Sequence, residues 1–231
     1  MGVIIAKSLN EACVVLAENP ATTVLAGGTD LMVQANRGMQ SMDSVLDLSR
    51  ILELKEWTLK DSEIVLGAGI SYTDLAEPQI ATVVPALAQA ARTVGSPQIR
   101  NAGTLGGNLA TASPAGDTIP VLVAMDAVLQ LKSSSGNREV AITDFITGVK
   151  SNELQAGEII QSITMPVFQG PQEFLKVGTR NAMVISVVSL ALVTDYLGRE
   201  VNIENSANSI ANLIFYFDDG TVRKQSVFKN L

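Results

Sequence analysis

Two glycine clusters constrain this chain more than anything else in it: Ala26-Gly27-Gly28-Thr29-Asp30-Leu31 and Gly103-Thr104-Leu105-Gly106-Gly107-Asn108. Each follows or interrupts an apolar segment and sets bare backbone beside polar residues. Backbone without a Cβ approaches a phosphate closely, and its N–H groups can hold the anion. Two such clusters in one chain point to a large anionic ligand gripped from two sides.

The first cluster lies at a strand-to-helix junction. Residues 3–6 read as a short strand. Ser8-Leu9-Asn10-Glu11 has the capping-box pattern, and Leu9, Ala12, Cys13, Leu16 and Ala17 form an apolar helical stripe ended by Asn19-Pro20. Residues 22–25 are a second strand running into Gly27-Gly28. Thr29 or Asp30 then caps a helix through Leu31, Met32, Val33 and Ala35, stopped by Gly38, and residues 44–48 are a third strand. The first fifty or so residues therefore read β-α-β-α-β, a small α/β lobe. Asp30 is best explained as a capping residue, because its charge would repel an anion.

A second unit starts near Glu63. A strand over 63–66 leads to the turn Gly67-Ala68-Gly69, a cap at Ser71-Tyr72-Thr73-Asp74 and an alanine-rich helix over 85–94. The stretch 95–117 has few large side chains, which suits backbone that wraps a long ligand better than it suits a core. A helix over 117–126 follows, with Pro120 in its first turn. Strands are expected at 128–132, 139–142, 158–164, 173–177 and 184–195, and a hairpin over 213–227 around Asp218-Asp219-Gly220. The division expected is residues 1–55, 56–170 and 171–231.

Composition excludes several functions. The net charge of −7 argues against nucleic acid, whose backbone needs a basic surface. No apolar run reaches the roughly 18–20 residues of a membrane span, and the first residues lack the pattern of a signal peptide, so a cytoplasmic location is the default. The chain has no histidine, which excludes Ser-His-Asp and Cys-His catalysis and every His-ligated metal site. With Cys13 as its single cysteine it holds no iron–sulfur cluster and no internal disulfide of its own. No metal site is expected, and redox chemistry here would be carried by a bound organic cofactor.

Gly67-Ala68-Gly69 invites a dinucleotide fingerprint, but the pattern G-x-G-x-x-G needs glycine where Tyr72 stands, and no P-loop pattern occurs. Phosphate binding rests on the two clusters above. Thr111, Ser113 and Asp117 are short polar side chains suited to a hydroxyl-bearing ligand, with helix capping as the competing role for Asp117. Lys176 and Arg180 stand on an otherwise apolar strand, where solvated edge charges are the commoner reading.

The order of these motifs resembles the FAD-binding subunit of molybdenum hydroxylases, the family of xanthine dehydrogenase and the carbon monoxide dehydrogenase medium subunit. The resemblance is carried by Leu25 to Leu31, by the run from Ile99-Arg100-Asn101-Ala102 through Gly103 to Asp117, by Asp144-Phe145, and by the segments 154–166 and 174–189. It covers roughly residues 1–195 and implies an α+β fold of the vanillyl-alcohol-oxidase (PCMH) type. In that fold a small N-terminal lobe and a larger α+β lobe clamp an extended FAD, and here a shortened C-terminal lobe follows. By resemblance, Ala26, Gly27, Gly28, Thr29, Asp30 and Leu31 hold the diphosphate together with Thr104, Gly106, Gly107 and Asn108. Ser113 and Asp117 match positions near the ribityl and adenosine part. Lys176 matches a lysine at the pyrimidine end of the isoalloxazine, where a cation stabilises charge on reduced flavin. The resemblance also implies partners: an iron–sulfur subunit with two [2Fe–2S] clusters, a large molybdenum-cofactor subunit and a soluble electron acceptor. A flavin-less scaffold and a free-standing FAD oxidoreductase remain as alternative readings.

Overall fold

The computed structural model describes residues 2–180, 183–194, 210–217 and 222–228. The N-terminal lobe runs β1 (Gly2–Ile5), α1 (Leu9–Glu18), β2 (Thr23–Leu25), α2 (Leu31–Asn36) and β3 (Ser44–Asp47), with the strands parallel in the order β1-β3-β2. The helix α1 forms where the stripe predicts it, and Leu9, Ala12, Cys13 and Leu16 are buried. Its cap differs in one bond. Ser8 Oγ accepts from the Glu11 N–H at 3.2 Å, but the Glu11 carboxylate accepts from the Lys7 N–H at 2.8 Å. The last strand, β3, is central, so Val45 and Leu46 are buried while Val3, Ile4 and Ile5 of the edge strand are exposed.

A 3-10 turn at Leu52–Leu54 leads into the second lobe: β4 (Trp57–Lys60), β5 (Glu63–Gly67), six helices, β6 (Val128–Ser133), β7 (Gly136–Ala141), α9 (Ile142–Phe145), β8 (Ile146–Gly148), β9 (Ser151–Asn152) and β10 (Ile159–Pro166). Five of the strands make an antiparallel sheet in the order β4-β5-β10-β6-β7, and β8 and β9 form a small ribbon. The six helices are α3 (Tyr72–Leu75), α4 (Pro78–Ala81), α5 (Pro85–Thr93), α6 (Pro97–Ala102), α7 (Leu105–Thr111) and α8 (Thr118–Ala124). Three of them start on a proline, whose fixed φ suits the first helical position. The glycine-rich stretch expected to wrap a ligand as open backbone is instead largely helical, in α6 and α7. Ser96 caps α6, Thr104 caps α7, and their small residues let the helices pack closely rather than uncoil.

Every residue of α8 is buried, so it reads as a core helix. It packs against α5, α7 and the third sheet, formed by β11 (Gln172–Gly178), β12 (Ser186–Thr194), β13 (Ile210–Phe217) and β14 (Val222–Phe228), antiparallel in chain order. On the inner face of that sheet Phe174, Ala191 and Val193 are buried and join one continuous core with Leu87, Leu109, Ile119 and Phe145. Each such aliphatic or aromatic side chain contributes about 1.5–3 kcal/mol. The turn of the expected C-terminal hairpin and Asp195 of the expected preceding strand lie outside the described residues. Among the described residues, no helix is long and apolar enough to cross a membrane.

Candidate functional site

A cleft of about 920 Å³ opens between the N-terminal lobe and the second lobe. Its wall carries Ala26 through Leu31 from the β2–α2 turn, and Thr104, Gly106, Gly107 and Asn108 from α7 and its cap. The two glycine clusters, some eighty residues apart in sequence, are thus brought to one site. They also touch each other. A Cβ added to Gly27 would overlap the Ala102 carbonyl oxygen and stand 2.9 Å from Gly103 Cα, so only glycine allows this approach. Gly28 has φ +72, the left-handed region where glycine is unstrained.

The clusters differ in what their amides do. In the second, Leu105 N–H donates to Ile70 O at 3.0 Å, Gly106 N–H to Ala68 O at 2.7 Å, and Gly107 N–H to Thr104 Oγ1 at 3.0 Å. These donors are committed within the protein. Gly106 packs directly on Ala68, whose Cβ is 2.6 Å from where a Gly106 Cβ would be. In the first cluster, the N–H groups of Gly27, Gly28, Thr29, Asp30 and Leu31 reach no acceptor among the described residues. Gly27, Gly28, Thr29 and Leu31 are half-buried and Asp30 is exposed, so these N–H groups face the cleft or solvent. Five consecutive unclaimed donors on a cleft wall form a ready cradle for an anion. The helix α2 has only six residues, so the cradle rests on these amides rather than on a helix dipole.

Asp30 occupies the N-cap position of α2, but its side chain makes no capping hydrogen bond, contrary to the role expected for it. Its backbone carbonyl instead accepts from Val33 and Gln34 N–H. Tyr72, where the dinucleotide fingerprint fails, is a wall residue that the glycine pattern did not reveal. Its ring packs on Gly103 and its N–H donates to Gly103 O. Burial pushes its phenol well above the usual range, with the Asp117 and Asp30 carboxylates adding to the effect and a hydrogen bond with Asn108 opposing it. Lys55, Lys150 and Glu158 also line the cleft. Nothing in their spacing marked them.

Ser113, Asp117 and Lys176 are not on this wall. Ser113 Oγ accepts from the Ala115 N–H in a local turn. Asp117 and Lys176 form a buried ion pair: Nζ donates to Asp117 Oδ2 at 2.7 Å, to Thr93 O at 2.9 Å and to Val184 O at 3.1 Å. The edge-charge reading of Lys176 is therefore overturned, since its side chain is 8% exposed. Asp117 does not cap α8 with its side chain. Burial raises its carboxyl above the ordinary range, opposed by Lys176 and Thr93. Among the described residues its Oδ1 is buried with no partner.

Comparison with known proteins decides the family. Residues 1–168 match the FAD binding domain in molybdopterin dehydrogenase. The chain belongs to this family. It is 36% identical over 190 residues to the nicotinate dehydrogenase FAD-subunit of Eubacterium barkeri, covering 79% of this chain and 64% of that one. It is 35% identical over 197 residues to the glyceraldehyde dehydrogenase medium chain of Sulfolobus acidocaldarius, covering 85% and 70%. The chain thus spans about two thirds of the length of these relatives. Among solved structures, quinoline 2-oxidoreductase from Pseudomonas putida 86 superposes with a TM-score of 0.88 at 24% identity, over 97% of this chain and 76% of that one. Carbon monoxide dehydrogenase from Hydrogenophaga pseudoflava gives 0.87 at 24%, over 99% and 82%. These two likenesses establish the shared fold, and the α+β FAD-binding architecture implied by the resemblance is the one found.

The residues present fit the family's cofactor. FAD carries a diphosphate, and the cleft offers five unclaimed amide donors.

Proposed function

We propose that this chain is the FAD-holding part of a molybdenum hydroxylase, passing electrons from a partner subunit with two [2Fe–2S] clusters to a soluble acceptor. A large subunit with the molybdenum cofactor would complete the assembly. Family membership supports the cofactor and the redox class. The observation that carries the reading is the run of free N–H groups from Gly27 to Leu31 on the cleft wall. Amides with no protein acceptor on a cleft wall are free to donate to an anion.

In this reading Ala26 to Leu31 hold the diphosphate. Gly106 and Gly107, capped by Thr104, give that cradle a rigid back, and Asn108, fixed by the Thr118 hydroxyl at 2.6 Å, completes the wall. Ser113 and Asp117 lie off the cleft wall, so their proposed contact with the ribityl and adenosine part requires the cofactor to extend beyond it. Lys176 orients the Asp117 carboxyl within their buried pair. The three donors of Lys176 are spent on Asp117, Thr93 and Val184, so it would act on the pyrimidine end of the ring through its charge alone. When bound, FAD supplies the two-electron chemistry that no side chain of this chain can supply. The lack of histidine and the single buried cysteine suit a chain whose metals sit on partners.

The test is to purify the tagged chain from its native cells and assay flavin, iron, molybdenum and acceptor reduction. Co-purification of all three, with acceptor reduction lost on stripping FAD and restored by adding it, is the expected result. A chain that emerges alone and colourless would refute the assignment.

A further inference from the structure

The β8–β9 ribbon closes on a two-residue turn, Val149-Lys150, between the paired residues Gly148 and Ser151. Lys150 sits there at φ +53. Glycine adopts that conformation freely, whereas a residue with a Cβ is strained in it. The strain is held in place from α7. Lys150 N–H donates to Ala112 O at 2.9 Å, and Ala112 is itself left-handed at φ +47. Two residues on, Asn152 Nδ2 donates to Ala110 O at 2.8 Å. The ribbon is therefore pinned twice to the end of α7, and this fixes the backbone of Lys150, an exposed residue, on the cleft wall.

Lys150 is in no ion pair among the described residues, where the pairs are Arg138 with Glu158 and Lys176 with Asp117. Two of the three carboxylates on the wall are engaged, and the third, Asp30, forms no ion pair among the described residues. Glu158 is held by Arg138, and Asp74 by Ser71. Lys150 thus adds a positive charge, on backbone held in a strained conformation, to the wall that carries the Gly27–Leu31 amides. Strained residues that the surrounding structure over-determines cluster at ligand clamps.

We propose that Lys150 contacts a phosphate of the bound dinucleotide, joining the Gly27–Leu31 amides as the cation of the cradle. This rests on the FAD reading above. Lys55, on the 3-10 turn, is the other lysine of the wall and serves as the comparison.

The test uses the full chain, with FAD as ligand and ADP as competitor, in wild type and in Lys150→Gln, Lys150→Gly, Lys150→Arg and Lys55→Gln. Lys150→Gln and Lys150→Gly should each weaken FAD and ADP about tenfold, as loss of a charge-assisted hydrogen bond does. Lys150→Arg should stay within about threefold of wild type, since it keeps the charge. Lys150→Gly should unfold at or above the wild-type temperature, because glycine relieves the left-handed strain. The dependence of FAD affinity on salt should flatten in Lys150→Gln. Unchanged FAD and ADP affinities in both neutral variants would overturn the proposal. So would weakening confined to Lys150→Gly with a lowered melting temperature, which marks a structural role, or weakening of FAD without ADP, which places the cation on the flavin side. An effect in Lys55→Gln equal to that in Lys150→Gln would also overturn it, by reducing the effect to bulk charge. A wild-type chain that binds no FAD at all refutes the functional reading itself, and this inference with it.

Discussion

Asp117 and Lys176 meet at 2.7 Å across fifty-nine residues of sequence, and the pair ties the start of α8 to β11 inside the protein. Both side chains are under a tenth exposed. Removing one partner leaves a buried group unmatched, which costs far more than the pair contributes. Lys176→Met should lower stability by about 3 kcal/mol in urea titration. The double variant Asp117→Leu with Lys176→Met should recover much of that loss. A single variant as stable as wild type would show that water reaches the pair.

Gly27 and Gly107 separate packing from ligand approach. Gly27→Ala drives a methyl into the Ala102 carbonyl and forces the two clusters apart, whereas the same change at Gly107 meets only Thr104 Oγ1 at 2.9 Å. Gly27→Ala should destabilise by about 2 kcal/mol or more and abolish FAD retention. Gly107→Ala should cost about 1 kcal/mol or less through the disturbed cap. Thermal melts of the two variants with and without FAD read both effects. Gly106→Val should fail to pack against Ala68 and show its loss in the FAD-free melt as well.

Asp30 is an exposed carboxylate beside the anion cradle and caps nothing. Asp30→Asn should tighten FAD binding by about threefold at low salt, and the gain should fade as salt is raised. Weaker binding in Asp30→Asn would mean that the carboxylate meets a donor on the ligand.

The Arg138–Glu158 pair gives a pH signature. Arg138 donates to both carboxylate oxygens, at 2.6 and 2.8 Å, and holds Glu158 below its usual 4.5. A lowered acid stabilises the fold above its unfolded value and loses that contribution as pH falls through the folded value. The stability difference between wild type and Arg138→Gln should be present at pH 7 and vanish in strong acid. It should stay below about 1 kcal/mol, because Arg138 is a third exposed. Urea midpoints of both proteins across that range check the sign, and a difference that grows in acid would reverse it.

Much of the N-terminal lobe was legible in the sequence, because its strands and α1 follow apolar periodicity bounded by clear caps and stops. The stretch 95–117 was not. Alanine, glycine and threonine carry little pattern, so α6 and α7 are set by tertiary contacts such as Gly106 on Ala68. Both clusters were read as phosphate donors. Spacing cannot show that Ile70, Ala68 and Thr104 accept the second cluster's amides, because the first two partners lie across the fold. The burial of Lys176 was hidden for the same reason: its partners Asp117, Thr93 and Val184 come from three separate segments. Lys55, Tyr72 and Lys150 reach the cleft from the end of the 3-10 turn, the start of α3 and the β8–β9 turn, with no motif to connect them.

Titration of the purified full chain with FAD, followed by flavin fluorescence, tests the central claim most directly. One saturable site per chain with a dissociation constant of about 10 μM or tighter, weakened by Thr29→Pro, which deletes one cradle amide, is the predicted result. No saturation, or affinity indifferent to loss of that amide, would contradict it.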